Sequence, residues 1–127
     1  MTDIYIFAWA SINEFCMKKL HVLWTTGDKE VAMRMIFVYL LDSKSMGWWD
    51  EINMVIWGPS AKLLAEDSEV QAELDMVMQS GINVEACRGC TEAYGVTKII
   101  KSLGIEVKYM GESVTKYLQG EGKVITF

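Results

Sequence analysis

The sequence predicts a three-layer α/β domain, with a mostly parallel sheet of about five strands and helices on both faces. Short apolar runs and segments of helical period alternate five times along the chain. Most of the apolar runs end at a turn containing glycine, and 127 residues suffice for a single domain. Because parallel strands need crossover helices between them, this alternation favours a parallel sheet covered on both sides.

Five short runs have the composition of strands, and segments with helical spacing separate them. The fourth run alternates apolar and polar residues cleanly, which is typical of a strand with one buried face. The predicted strands are residues 20–24, 52–57, 82–87, 105–109 and 124–127. The predicted helices are residues 29–43, 61–65, 68–80, 99–103 and 114–118.

For two of these helices the sequence makes more specific predictions. In the first, Val31, Met35, Val38 and Leu41 fall at helical spacing, with Ala32, Ile36 and Tyr39 beside them, so we expect a helix with a broad apolar face. In the helix that begins near residue 68, the run Ser68–Gln71 has the spacing of a capping box.

The domain is expected to cover residues 18–127, with residues 1–17 as an N-terminal extension, for example a short helix or an arm that seeks a partner. Residues 4–10 are apolar, but Asp3 stands where a secretory signal carries positive charge. A secretory signal is therefore disfavoured.

Bulk composition excludes several classes of protein. The net charge is -5 and the twelve Lys and Arg residues are scattered, whereas nucleic-acid binders concentrate cations. No run approaches the roughly 18 apolar residues of a membrane span. Three cysteines, an odd number, do not suggest a secreted disulfide scaffold and favour the reducing cytoplasm. We therefore expect a cytoplasmic protein that binds neither nucleic acid nor membranes.

Three predicted strand ends carry unusual residues: 24–27, 57–60 and 87–90. In open α/β sheets, ligands bind beyond the carboxyl ends of the strands. If these strands are neighbours, the three loops share one edge of the sheet. The residues expected to line a pocket there are Thr25, Thr26, Trp57, Gly58, Ser60 and Gly89.

The turn Cys87-Arg88-Gly89-Cys90 carries the sharpest chemical signal. A thiol at a helix N-terminus experiences the positive end of the helix dipole, and the guanidinium of Arg88 adds a cation. Gly89 would permit a tight turn that brings the second sulfur close. We therefore expect Cys87 to be an exposed nucleophile, with Cys90 as a resolving or auxiliary thiol and Arg88 stabilising the thiolate.

Other interpretations of the cysteine pair remain open. Free cysteines often pack as small hydrophobic residues. Zinc is less expected, because a structural site needs four ligands and the remaining candidates, His21 and Cys16, are remote in sequence. We expect His21 to be a packed histidine, and we predict neither a metal nor another cofactor.

Three stretches together resemble the DsrE/DsrF/TusD-like family. Residues 84–96 resemble its cysteine segment, in which a glycine–hydrophobic pair follows the cysteine by eight residues, as Gly95-Val96 follows Cys87. Residues 122–127 resemble the terminal strand of the YchN-type branch, which also has a C-x-x-C. Residues 55–64 are similar to a strand-to-helix corner of many members. The resemblance covers residues 18–127.

This resemblance implies a five-stranded α/β domain that forms a homo-oligomer, either a trimer or a hexamer, with a dimer as the alternative. It implies a persulfide carrier or sulfurtransferase-like relay in which Cys87 holds the sulfur, with sulfur donor and acceptor proteins as partners. Whether the chain is an enzyme stays open. One alternative is an oligomeric module that binds a small ligand at the helix starts after Gly58 and Gly89. The other is a redox sensor that forms a Cys87–Cys90 disulfide.

Overall fold

The computed structural model describes residues 17–127, which form one five-stranded sheet flanked by helices. All four strand pairs are parallel, and the order across the sheet is β4-β3-β2-β1-β5. The strands are β1 (Lys19–Trp24), β2 (Glu51–Ile56), β3 (Asn83–Cys87), β4 (Glu106–Lys108) and β5 (Lys123–Thr126). The predicted extension, apart from Met17, lies outside the described residues.

The helices follow the strands in the predicted order, except that two short helices instead of one lie between β3 and β4. The first, α1, runs through three contiguous segments, Lys29–Val31, a π-helical segment Ala32–Ile36, and Phe37–Met46. The others are α2 (Pro59–Glu66), α3 (Ser68–Gln79), α4 (Arg88–Ala93), α5 (Thr97–Ser102) and α6 (Gly111–Gln119). Within residues 17–127, none of them has the length and apolar character needed to cross a membrane.

The order of the strands explains why the two faces of the sheet differ. From β1 to β4 the chain steps in one direction, and it then returns across the sheet to place β5 beside β1. Because crossover connections are right-handed, the return helix α6 lies on the opposite face from the earlier helices. The larger core receives residues of α1, α2, α3 and α5, and the smaller core lies under α6. The predicted three-layer fold is confirmed.

The broad apolar face predicted for α1 is buried only in part. The residues that pack on the sheet are Ala32, Ile36, Phe37 and Leu40. By contrast, Met35 and Val38 are 53% and 48% exposed. The helix is apolar on most of its sides, so spacing alone does not select one of them. The π-helical segment also changes the number of residues per turn and so shifts the angular position of everything after it.

The cap of α3 differs from the predicted one by a single position. Asp67, not Ser68, is the N-cap, and its carboxylate accepts the N–H groups of Glu69 and Val70 at 3.0 Å. The side-chain amide of Gln71 instead donates to carbonyl groups at the end of α2. The sequence pattern was therefore right about where the helix begins and wrong about which residue caps it.

Truncation of two side chains on α1 tests the face that the structure assigns. Leu40→Ala is expected to lower the free energy of unfolding by about 2–5 kcal/mol, because Leu40 is fully buried and its loss leaves a cavity. Val38→Ala removes an exposed side chain and should change stability by less than about 0.5 kcal/mol. Urea unfolding measures both, and equal losses would contradict the assigned face.

Candidate functional site

The three loops that the sequence singled out meet at the carboxyl edge of β1, β2 and β3. These strands are neighbours in the sheet, and hydrogen bonds join each loop to the next. Ser60 donates its backbone N–H to the carbonyl of Thr25 at 3.1 Å. The backbone N–H of Gly58 donates to the sulfur of Cys90 at 3.1 Å. The loops thus form one continuous edge.

The hydroxyl groups at this edge bond to the backbone. Thr25 donates its hydroxyl to the carbonyl of Phe127 at 2.7 Å, and the buried hydroxyl of Ser60 donates to the carbonyl of Trp24. The hydroxyl of Thr26 accepts the N–H of Asp28 at 3.1 Å. The hydroxyls of Thr25 and Ser60 thus connect neighbouring strand ends, whereas that of Thr26 bonds within its own loop. Trp57 differs from them, because its side chain is 38% exposed.

Helix geometry brings the two cysteines together. Cys87 is the last residue of β3 and the N-cap of α4, and Cys90 is the third residue of that helix. Side chains at these two positions face each other across the first helical turn. Gly89 has no positive φ, and a Cβ added there would meet the sulfur of Cys87 at an ordinary 3.9 Å. The turn therefore does not depend on a glycine at this position.

The sulfur of Cys87 is much less exposed than the sequence suggested. The residue is 9% exposed and belongs to the smaller core, together with Leu23, Val55, Met110 and Val114. The expectation of an exposed thiol was wrong because the last residue of β3 still points towards the sheet face that α6 covers. Access to this sulfur is restricted by the segment that leads into α6.

Cys90 is the more accessible thiol of the pair. It is partly exposed, and its sulfur receives the Gly58 N–H described above. Burial raises the pKa of Cys90 above its ordinary value, and the neighbouring Cys87 thiol raises it further, whereas the Gly58 N–H lowers it. The net effect favours a protonated Cys90 at neutral pH.

Arg88 is engaged by other groups. Its Nε lies 3.1 Å from a carboxylate oxygen of Glu92, and its guanidinium lies 6.0 Å from the centre of the Tyr109 ring. The helix that Arg88 begins has only six residues, which limits its dipole. Arg88 and the helix thus supply less positive charge to Cys87 than the sequence suggested.

Sequence reasoning missed an ion pair beside Cys87. Lys108 is the register partner of Cys87 on β4, and its ammonium lies 2.5 Å from a carboxylate oxygen of Glu85. Glu85 is buried two residues before Cys87, so both side chains lie on the same sheet face. The pKa of Lys108 is raised, mainly by its hydrogen bond to Glu85. The signal in the sequence was an acidic residue between two apolar residues, Val84 and Ala86, in the middle of the strand.

Further polar side chains extend the polar network around the Lys108–Glu85 ion pair across the sheet face. The hydroxyl of Tyr117 and the amide of Asn83 each donate to the second carboxylate oxygen of Glu85 at 3.3 Å. His21, expected to be packed, stacks on the ring of Tyr117 with 4.0 Å between ring centroids, and burial lowers its pKa. A Cβ at Gly122 would lie 3.0 Å from the His21 ring, so a glycine there permits this packing.

Metal binding receives no support from the part of the chain that the structure describes. Within residues 17–127, no three His, Cys, Asp or Glu side chains are grouped to hold a metal ion. A cavity of about 490 Å³ lies at the amino end of β1, beside His21 and Tyr117. Its lining includes both lysines and glutamates, so its charges are mixed.

The fold and the thiol pair define the class of protein: a parallel α/β domain with two cysteines at the carboxyl edge of its sheet. Residues 18–127 match the model of the DsrE/DsrF-like family. The chain belongs to this family, as the resemblance of its cysteine segment indicated. No curated protein matches the chain.

Solved structures show the same architecture. A conserved protein of unknown function from Bacteroides thetaiotaomicron, BT1422, is 46% identical, with a TM-score of 0.84 over 87% of this chain and 95% of that one. The YchN protein of E. coli is 17% identical, with a TM-score of 0.62. MTH1491 of Methanobacterium thermoautotrophicum, a protein of unknown function, is 18% identical, with a TM-score of 0.65. Each of the latter two alignments covers 87% of this chain and 99% of the other.

A substitution at Gly58 tests the hydrogen bond to Cys90. Gly58 has φ 76° and ψ -140°, a conformation that side chains oppose, so Gly58→Ala should displace its N–H from the sulfur. Because that N–H lowers the pKa of Cys90, its loss should move alkylation of Cys90 to higher pH. The measurement uses a Cys87→Ser background. Gly47→Ala, at φ 67° with no neighbour within 4 Å, is the control for strain; an identical pH profile in both variants would contradict the role of Gly58.

A second substitution tests what shields Cys87. Met110 is 1% exposed in the same cluster, so Met110→Ala should speed alkylation of Cys87 by iodoacetamide, measured by peptide mass mapping. It should also cost about 2–5 kcal/mol of stability, as other losses of a buried methionine do. Met76→Ala removes an exposed methionine and should change neither quantity. If Cys87 reacts equally fast in all three proteins, Met110 does not shield it.

Proposed function

We propose that this protein carries sulfane sulfur as a persulfide on Cys87, with Cys90 as the second thiol of the site. The observation that carries this proposal is the pair of thiols one helical turn apart at the carboxyl edge of a parallel sheet. Membership of the DsrE/DsrF-like family supports it, because that family is generally linked to sulfur relay. The chain would act in the relay as a carrier.

The transfer needs no external oxidant. The Cys87 thiolate attacks the outer sulfur of a donor persulfide, R–S–SH, and forms a new S–S bond while the donor's S–S bond breaks. The donor leaves as a thiol, R–SH, which carries away the proton of the donor persulfide, and Cys87 holds the sulfane sulfur as Cys87–S–S⁻. An acceptor thiolate then removes the outer sulfur by the same reaction and regenerates the Cys87 thiolate.

Cys90 offers a second route of release. Its thiolate can attack the inner sulfur, which forms the Cys87–Cys90 disulfide and expels HS⁻. A dithiol reductant must then supply two electrons to restore both thiols. Because the raised pKa of Cys90 keeps it protonated near neutral pH, this route is slow and the persulfide persists. A protonated Cys90 is also a poor nucleophile towards the donor, which favours Cys87 as the thiol that carries the sulfur.

Because Cys87 is buried, a carrier role requires that sulfur reach it through the cluster that covers it. A sulfane sulfur in an apolar cluster is shielded from small thiols in solution, which would otherwise remove it. A donor must reach Cys87 past Met110, so delivery favours a partner that docks at the carboxyl edge. Trp57 and Tyr109, which follow β2 and β4 at that edge, are 38% and 67% exposed and offer an apolar contact surface. We include in the proposal the donor and acceptor proteins and the trimeric or hexameric assembly that the family resemblance implies.

Intact mass after incubation with inorganic polysulfide tests the proposal. The wild-type chain should gain one sulfur that dithiothreitol removes, and Cys87→Ser should gain none on either described thiol. Cys90→Ser should gain the sulfur and hold it longer, because release through the disulfide is blocked. Peptide mapping after alkylation locates the added sulfur and separates these thiols from Cys16.

Two results would contradict the proposal. A wild-type chain that gains no sulfur on Cys87 is not a carrier at this site. A Cys87–Cys90 disulfide that forms without any persulfide intermediate would instead favour the redox sensor. The reduction midpoint of the Cys87–Cys90 disulfide in a glutathione titration would then be the property to measure.

A further inference from the structure

The ion pair between Lys108 and Glu85 has no role in the sulfur transfer as described above. Lys108 stands opposite Cys87 in the register of β3 and β4, about 5 Å away along the direction of the interstrand hydrogen bonds. Its ammonium bonds to Glu85, which shares the sheet face of Cys87. The Lys108 side chain therefore lies on that same face, and it starts from the strand position beside Cys87.

The way Glu85 is bonded leaves Lys108 able to move. One carboxylate oxygen of Glu85 accepts the hydroxyl of Tyr117 and the amide of Asn83, and Lys108 bonds to the other oxygen. When the ammonium turns towards another anion, Glu85 keeps two donors. The Lys108 side chain is 42% exposed, and its four-carbon stem is flexible, so a short movement costs little.

A persulfide on Cys87 would be an anion and would require a cation nearby. The sulfur of Cys87 is surrounded by apolar side chains, and an anion in such surroundings is unstable without a counter-charge. Arg88 forms an exposed ion pair with Glu92 and lies near Tyr109, so its guanidinium already has other partners. Among the described residues, Lys108 is the cation that the sheet register places beside Cys87.

The geometry points to Lys108 as the residue that binds the anionic outer sulfur of the Cys87 persulfide, and to Glu85 as the residue that holds Lys108 in place between transfers. This inference rests on the proposed loading of Cys87 with sulfur. The step is an exchange of ion-pair partners: no covalent bond, proton or electron is transferred. Lys108 acts on the bound sulfur, and Glu85 is a positioning residue that acts through Lys108.

The test compares the rates of sulfur loading from inorganic polysulfide, measured by intact mass over a range of pH. Lys108→Met should load about tenfold more slowly near neutral pH, because the bound anionic sulfur loses its ion-pair partner; a factor of ten corresponds to about 1.4 kcal/mol. Lys108→Arg, which keeps the charge, should restore most of the rate. Lys101→Met removes an exposed lysine elsewhere and should load like the wild type. Added salt should slow the wild type more than Lys108→Met.

A double variant separates binding of sulfur from a structural role. Lys108→Met alone leaves the buried Glu85 carboxylate without its cation and should lower the melting temperature. Adding Glu85→Gln removes the unpaired charge and should recover stability. If Lys108 binds the persulfide, the double variant still loads slowly. If Lys108 only supports the fold, the double variant loads like the wild type, and the inference is overturned.

The two proposals fail in different ways. A wild-type chain that takes up no sulfur overturns both of them. A wild-type chain that loads Cys87, with Lys108→Met loading at the same rate and with the same pH profile, overturns only the role of Lys108.

Discussion

The candidate site depends on hydrogen bonds that join the loops at the carboxyl edge of the sheet. Thr25 and Thr26 both donate their backbone N–H groups to the carbonyl of Phe127, and Ser60 bonds to the loop after β1. From there, Gly58 reaches the sulfur of Cys90. Since each loop bonds to its neighbour, the position of the thiols is fixed by the pairing of β5, β1, β2 and β3. The helix dipole and the C-x-x-C spacing act on thiols whose position this strand pairing has already fixed.

The asymmetry of the two sheet faces decides the surroundings of the cysteines. Among the helices of residues 17–127, four contribute to the larger, mostly apolar core, whereas α6 covers the other face. That second face is apolar near the carboxyl edge, around Cys87, and polar further down, around Glu85 and Tyr117. The thiol thus lies at the boundary between an apolar cluster and a buried polar network. This position accounts for both its low exposure and the nearness of an ion pair.

Much of this could be predicted from the sequence. Alternation of short apolar runs with helical segments gave the fold, because a parallel sheet constrains the connections strongly. The meeting of the three loops at one edge followed from the same reasoning. The buried face of α1 could not be predicted, since the helix is apolar on most sides and the π-helical segment depends on tertiary packing. The burial of Cys87 was also missed, because it depends on how α6 crosses the other face, which local sequence does not encode. Lys108 was missed because the register between β3 and β4 has no sequence signature.

Register also explains why a carboxylate can be tolerated so close to a thiol that is proposed to carry negative charge. Residues 85 and 87 are separated by two strand positions, roughly 6–7 Å. Two like charges at that distance repel by about 2–3 kcal/mol at an effective dielectric constant near 20. An ammonium on the adjacent strand, bonded to Glu85 and opposite Cys87, offsets that repulsion for either partner. The electrostatics of the thiol thus depend on the neighbouring strand of the sheet. A prediction confined to the Cys87–Cys90 turn assigns the cation to Arg88, which instead forms an exposed ion pair with Glu92.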